Sequence, residues 1–592
     1  MNIIGISGLD RAVEFKRHYW PGLDEREYRI VQGQDAAAAL VVKGKIVAAA
    51  AEERFDGRKH SPAFPVRAIG WALRHCGLDV SDMDEIAHSF DYAPYAGFFS
   101  FDPVTAKYYS QVLSSEAMVE VIHRELPGFP RERIHAVSHH LAHAASAYFT
   151  SGWEECLVVV VDGMGEVHGA TIYDARGGDL KPIRAFAAHD SIGILYSLVT
   201  LHLGFDFNSD EYKIMGLAPY GNPERFRAFF EREIVLKSDG SIYIPMLHLD
   251  KTRDGRENHL ASRAYLQQHL VSARHPKEEI TADHRDVAAA LQECLDRTVL
   301  HLCGCFAKQT GHKRLAMAGG VALNCTANGR LARSGLFEEI YTQPAAGDDG
   351  SALGAALYRA SRAGEIVNER SPAPFFGPSY SESDVRQAIQ GANGRIEVCN
   401  FNTLEETCAK AAELIAGGAV LAWYRGRMEF GPRALGNRSI IADPSHPGMR
   451  DLINQMVKKR EAFRPFAPAV SIEEANQWFD VQPNQDLRYM ITVVDVRERW
   501  RTTLPAITHV NGSARVQTVS KQDNPAFYAL LKAVGRKTGR EMVLNTSFNV
   551  KGQPIVNTPS EAIATFLGTG INYLFLENYL ISRSSATRQK AA

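Results

Sequence analysis

Five successive apolar residues, Leu157-Val158-Val159-Val160-Val161, run straight into Asp162-Gly163-Met164-Gly165-Glu166. An unbroken apolar strand has no solvent face, so both of its sides need cover from another layer. The pattern recurs along the chain. Residues 2–7 are apolar and rich in isoleucine, and residues 38–42 and 46–51 flank Lys43-Gly44-Lys45, a hairpin signal. Pro65 suits a first helical turn, and Val66, Ile69, Leu73 and Cys76 keep helical spacing behind it. Residues 170–173 read as a second short strand after Glu166. Residues 315–318 pass through Gly319-Gly320 into a helix. Residues 340–343 pass through Pro344-Ala345-Ala346-Gly347-Asp348-Asp349-Gly350 into an Ala-rich helix ending near Arg362. Strand, glycine turn and helix in repetition predict an α/β fold of the nucleotide-binding kind. Residues 16–34 are polar and aromatic and read as an inserted loop.

The chain has 592 residues, enough for several domains at roughly 150 residues each, although large α/β units merge that count. Residues 364–381, with Ser371-Pro372-Ala373-Pro374 and Phe376-Gly377-Pro378-Ser379, read as a linker between domains at 1–363 and 382–592. The second has a helix near 404–415, a strand at 420–424, a basic stretch to Arg464 and a strand-like end at 573–582.

Charge narrows the function. Lys and Arg number 66 against 68 Asp and Glu, a formal net charge of −2, so the concentrated basic face that nucleic acid requires is not expected. No apolar run reaches the ~18 residues of a membrane helix, and the N-terminus lacks a signal-peptide pattern. The eight cysteines are scattered with no CxxC pair, as in a reduced cytoplasmic protein.

Three constellations carry chemistry. His139 and His143 are four apart and share a helical face, where two imidazoles can ligate one metal or simply be hydrogen-bonded. Asp162 and Asp348 each follow a strand-like run, and strand ends meet at one rim of an α/β sheet. Two histidines with two carboxylates suit iron, manganese or zinc better than calcium. The glycine turns at Gly163 and Gly165 and at Gly319 and Gly320, with Asn324 beyond, can admit phosphates close to the backbone or serve as tight turns. Lys213 and Gly216 lie in a small-residue run at 209–221. No GxxxxGK[ST] motif occurs, which argues against a Walker ATPase. The third constellation is Arg433 in Gly431-Pro432-Arg433-Ala434-Leu435-Gly436-Asn437-Arg438-Ser439, with Lys458, Arg464 and Arg515. Planar guanidinium forks match phosphate oxygens. Asn545 and Ser547 add short hydrogen-bonding groups.

Taken in order, Glu52-Glu53-Arg54-Phe55, Arg58-Lys59-His60, residues 139–148, Val161-Asp162-Gly163 and residues 211–221 resemble the O-carbamoyltransferase family. So do residues 318–324, 347–350, 431–439, 464–468 and 545–549. The family includes nodulation-factor and antibiotic carbamoyltransferases such as the tobramycin enzyme. The resemblance implies an N-terminal domain of the actin, sugar-kinase and heat-shock-ATPase type, in its threonylcarbamoyl-transfer version, and a C-terminal YrdC-like α/β domain. It implies that carbamoyl phosphate and ATP form carbamoyl-adenylate in the second domain. A small hydroxylated acceptor, a natural product or sugar, then takes the carbamoyl group in the first, releasing AMP. His139, His143, Asp162 and Asp348 match the metal ligands, normally Fe2+. Asp162, Gly163, Gly165, Ser191, Lys213, Gly216, Gly319, Gly320 and Asn324 match the nucleotide site. Arg433, Lys458, Arg464, Arg515, Asn545 and Ser547 match the carbamoyl phosphate and ATP site, and Lys59 matches a lysine at the transfer site.

One departure stands out. Relatives carry His-Asp after the first strand, and this chain carries Gln34-Asp35. An amide has no basic pKa near neutrality. The transfer site is therefore expected to use Gln34 for positioning; either Asp35 or an insert histidine such as His18 serves as base, or the base is dispensable. A tRNA threonylcarbamoyl-transfer enzyme and a non-catalytic ATP-binding regulatory module are the rival readings. The acceptor and the oligomeric state, for which a homodimer is one option, stay open at this point.

Overall fold

In the computed structural model, residues 1–365, 370, 373–461, 463–483 and 485–584 are described. Residues 366–369, 371 and 372 of the expected linker lie outside them. Two units make up the chain: Met1–Asp56 with His60–Ser371, and Gly57–Lys59 with Pro372–Ala592.

The first unit contains the same sheet twice. In one copy β1 (Asn2–Ile6) is central, with β2 (Ala37–Val42) and β3 (Lys45–Ala51) antiparallel on one side. On its other side are β4 (Glu85–His88) and β5 (Ile134–Ala136), both parallel. In the other copy β6 (Glu155–Gly165) is central, with β7 (His168–Arg176) and β8 (Asp179–Ala187) antiparallel. After a short ribbon, β9 (Val235–Leu236) and β10 (Ile242–Tyr243), the parallel side is completed by β11 (Arg314–Ala318) and β12 (Glu339–Thr342). The orders β3-β2-β1-β4-β5 and β8-β7-β6-β11-β12 are the same order with the same directions. Repeated strand and helix units of this kind are the α/β fold class expected from the sequence pattern.

Helices His139–Ser151 and Asp348–Arg362 cross in close contact. Gly354 makes the approach possible: a Cβ there would come within 1.7 Å of the Ala142 carbonyl oxygen. The small residues of both helices let the backbones approach and so bring the N-terminal turn of one beside that of the other.

The second unit is also α/β. Its eight-stranded sheet contains β13 (Ile396–Asn400), β14 (Leu421–Tyr424), β15 (Arg438–Ala442) and β16 (Ala467–Ser471). A three-stranded sheet is formed by β17 (Phe479–Asp480), β18 (Val493–Val496) and β19 (Ser513–Arg515). The larger sheet is completed by β20 (Gln517–Val519), β21 (Met542–Ser547), β22 (Tyr573–Leu576) and β23 (Tyr579–Arg583). The central β14 and β15 are wholly buried.

Three expectations change. The insert at 16–34 is not all loop: Ala12–Tyr19 is a helix and Glu27–Arg29 a 3-10 turn. Buried Lys16 anchors it by donating to the Ile30 and Glu257 carbonyls at 2.6 and 2.8 Å. The single strand expected at 573–582 is a hairpin, β22 and β23, with Glu577 in the left-handed region. Neither Asp162 nor Asp348 sits at a strand end. Asp162 lies within β6, and Asp348 opens a helix. Among the described residues no helix is long and apolar enough to cross a membrane.

Candidate active site

The first cluster forms where the two crossing helices begin. His139 and His143 are fully buried and their Nε2 atoms lie 3.0 Å apart. Asp162 Oδ2 is 3.3 and 3.5 Å from those nitrogens, and Asp348 Oδ1 is 3.4 and 3.9 Å away. A tetrahedral shell with metal–donor bonds of about 2.1 Å has edges of about 3.4 Å, and an octahedral one has edges of about 3.0 Å. The observed separations match such edges, so four side chains from three elements form a set that could hold a metal ion.

Neighbouring groups fix this set. The Ser89 carbonyl accepts from His139 Nδ1 at 3.1 Å, which leaves the Nε2 lone pair facing the cluster. Phe90 stacks on the His139 ring with centroids 4.1 Å apart. Glu166 Oε1 accepts the backbone N–H groups of His139 and Asp91 at 2.8 and 2.9 Å, so a carboxylate caps the helix that carries both imidazoles. Burial pushes the Glu166 carboxyl up to about 7. Burial opposes charge on His139, but the Asp348 and Asp162 carboxylates outweigh it and raise its pKa well above the ordinary value. Asp162 is held well below the carboxylate range because His139 and His143 outweigh its own burial.

The glycine turns surround β6. Gly319 has φ +88°, and a Cβ there would meet the Val161 carbonyl oxygen at 2.4 Å, so only glycine fits. Gly320 N–H donates to Asp162 Oδ1 at 3.0 Å. Gly163 and Gly165 belong to β6 itself. Ser191 caps the helix Ile192–His202, and its hydroxyl faces the carbonyls of Asp162 and Gly163 at 2.9 and 2.7 Å. Asn324 caps Cys325–Arg333 and pairs with Gln292 through both amide atoms at 3.0 Å. Lys213 and Gly216 lie in the helix Glu211–Leu217, not in a loop, and Lys213 Nζ pairs with Asp210 at 2.7 Å.

The structure also locates the transfer-site expectations. Gln34 is buried and bonded to Arg29 at both ends of its amide, at 3.0 and 2.8 Å. Asp35 does not act alone: its Oδ1 lies 2.7 Å from His60 Nδ1. Sequence reasoning missed His60, although it stands in the quoted Arg58-Lys59-His60 run. His18 is exposed on the insert helix and pairs with no carboxylate among the described residues. Lys59 groups with the second unit, whereas Asp35 and His60 belong to the first.

A second, cationic cluster occupies the second unit. The π-helical turn Asn454–Lys458 ends on Lys458, which is buried. Its Nζ donates to the Ser547 and Asn549 carbonyls at 2.5 and 3.1 Å, with Asn549 Oδ1 at 2.7 Å. Burial, then Arg460, Arg464 and Lys59, pull its pKa well below the lysine value. Asn545 in β21 donates to the carbonyl of Ala434, next to Arg433, at 3.2 Å. Glu429 shapes that loop: its Oε1 accepts the N–H groups of Leu435, Asn437 and Arg438 at 2.7, 2.8 and 3.2 Å. Arg464 pairs with Glu461 at 3.6 Å. Arg515 ends β19, and its charge, after desolvation, helps to depress the half-buried His509. Arg433, Arg464 and Arg515 are half-buried guanidinium groups, a side-chain type that suits a phosphate-bearing ligand.

Residues 100–357 match the family model "Carbamoyltransferase N-terminus", and residues 412–583 match "Carbamoyltransferase C-terminus". The nodulation protein NolNO of Sinorhizobium fredii is 40% identical over 558 residues, 93% of this chain and 79% of that protein. An uncharacterised protein of Synechocystis is 36% identical, over 94% of this chain and 96% of its own length. The 3'-hydroxymethylcephem-O-carbamoyltransferase of Amycolatopsis lactamdurans is 33% identical over 44% of this chain and 46% of its own. The chain therefore belongs to the carbamoyltransferase family, enzymes that pass a carbamoyl group from a donor to an acceptor.

Proposed function

We propose that the chain is an ATP-dependent O-carbamoyltransferase that divides two half-reactions between its two units. In the second unit, carbamoyl phosphate, water and ATP yield carbamoyl-adenylate, phosphate and pyrophosphate. In the first, a hydroxyl of a small natural product or sugar takes the carbamoyl group and AMP leaves. One observation carries the reading: two chemically distinct sets of side chains lie in separate units, a His2Asp2 set in one and Lys458 with the half-buried Arg433, Arg464 and Arg515 in the other.

The cationic residues Arg433, Lys458, Arg464 and Arg515 offset phosphate charge and orient the donor, while Asn545 and Ser547 fix the loops that present them. His139, His143, Asp162 and Asp348 would hold a transition metal, iron by family resemblance. Such an ion supplies Lewis-acid stabilisation of phosphate oxygens. The Gly163 and Gly320 N–H groups both donate to Asp162 Oδ1, at 2.8 and 3.0 Å, and hold that carboxylate in place, while Gly165 and Gly319 lie in and beside β6. Ser191, Lys213, Gly216 and Asn324 hold the surrounding turns and helices. The fused second unit and the near-neutral charge favour a small acceptor over tRNA, and the name of the cephem-modifying relative supports the same class.

The test is incubation of the enzyme with ATP, carbamoyl phosphate and small-molecule extracts. The expected result is a compound that gains the mass of one carbamoyl group, with AMP formed in equal amount. AMP formation that rises with bare tRNA and with no small alcohol would contradict the proposed acceptor class.

A further inference from the structure

The first unit holds a second group of functional side chains outside the metal-ligand set. Asp35, Glu53 and His60 present their donor atoms within 4.8 Å of one another. Glu53 Oε2 accepts the His60 backbone N–H at 2.8 Å, and Asp35 Oδ1 lies 2.7 Å from His60 Nδ1. A carboxylate only accepts, so Nδ1 carries the hydrogen and the lone pair of the ring is on Nε2. Nε2 is shielded and has no hydrogen-bond partner among the described residues.

The backbone is strained to build this pair. Asp35 and His60 both lie in the left-handed region, with φ of +58° and +57°. Two non-glycine residues held there and joined by their side chains mark a site that the surrounding structure enforces. The Ala36 N–H donates to the Ser61 carbonyl at 2.8 Å, clamping the two segments together. The charges of Asp35 and Glu53 reach Asp349, the neighbour of metal-ligand residue Asp348.

We propose that His60 is the general base of carbamoyl transfer and that Asp35 is its positioning residue. This rests on the two-step reading above. The acceptor oxygen attacks the carbamoyl carbon and forms a C–O bond. The bond from that carbon to the AMP phosphate oxygen breaks, and its electron pair leaves with AMP. The hydroxyl proton passes to His60 Nε2, which holds it until the products leave. Asp35 fixes the tautomer and stabilises the imidazolium that forms. Gln34, bound to Arg29, takes no proton.

The full chain, ATP and carbamoyl phosphate are assayed with two probe acceptors: methanol, which needs a base, and hydroxylamine, a nucleophile that needs none. His60→Gln is expected to lower methyl carbamate formation by roughly 10²-fold or more. Pyrophosphate release and hydroxyurea formation should stay close to wild type. Asp35→Asn should lower methyl carbamate formation as well, and nitrogen NMR of labelled histidine should show His60 losing its Nδ1–H tautomer. Methyl carbamate formation by His60→Gln at the wild-type rate would overturn this proposal alone. Wild-type enzyme that makes no hydroxyurea would overturn the two-step reading and this proposal with it.

Discussion

The Nε2 atoms of His139 and His143 face each other at 3.0 Å inside a fully buried helix start, with Asp162 and Asp348 closing around them. Two imidazole lone pairs at that distance repel unless a proton or a cation lies between them. The Ser89 carbonyl fixes His139 Nδ1 as the donor, which directs Nε2 inward. The double variant His139→Ala/His143→Ala should lose a bound transition metal entirely, because two carboxylates cannot retain it. Elemental analysis of purified protein checks this. Lowering the pH should also release the metal, since protons compete for the same nitrogens.

The crossing of the two helices at Gly354 sets the spacing of this cluster. A Cβ at Gly354 would meet the Ala142 carbonyl oxygen at 1.7 Å, so Gly354→Ala must push the helices apart. We expect a loss of about 1–3 kcal/mol of stability and a weakened metal. Chemical unfolding read beside metal content tests it, and unchanged values for both would contradict the role given to this contact.

Glu429 is a buried acceptor for three backbone N–H groups of the loop that presents Arg433. Glu429→Ala strands those donors and should cost on the order of 3 kcal/mol. KM for carbamoyl phosphate should rise, whereas Glu429→Gln, which keeps an acceptor oxygen, should recover part of the loss. Steady-state kinetics of both variants distinguish a loop-shaping carboxylate from a bystander.

Burial, with the Arg515 charge second, drives the His509 imidazole down to about 3. The unfolded chain takes up this proton near pH 6.5, and the folded chain does not until about 3. Stability from this group is therefore complete above about 6.5 and declines as pH falls through the window. Between pH 6 and pH 4 the loss should be on the order of 2 kcal/mol. Urea unfolding of His509→Gln should show a shallower decline with acid than wild type.

Much of the first unit was legible because its strands are continuous apolar runs with glycine at their ends. The hairpin of β2 and β3 and the helix Val66–Cys76 fall where hydrophobic spacing places them. The 16–34 insert misled, because its helix buries only a narrow stripe that includes Phe15 and Lys16, and a buried lysine reads as polar. Asp348 was expected at a strand end because glycine and alanine hide the helix start at Gly347-Asp348. His60, Glu166 and Glu429 were missed for a shared reason. Each works through a partner distant in sequence or through backbone N–H groups, and neither leaves a periodic trace.

The measurement that bears most directly on the central claim separates the two chemical steps in two variants. Arg433→Ala should lose carbamoyl-adenylate formation by about 2–4 kcal/mol of transition-state stabilisation, yet keep its metal and transfer the group from supplied carbamoyl-adenylate. Asp348→Ala should release pyrophosphate normally and transfer poorly. Pyrophosphate release reads the first step and single-turnover carbamate formation the second. The account predicts opposite losses in the two variants; equal loss of both steps in both folded variants would contradict it.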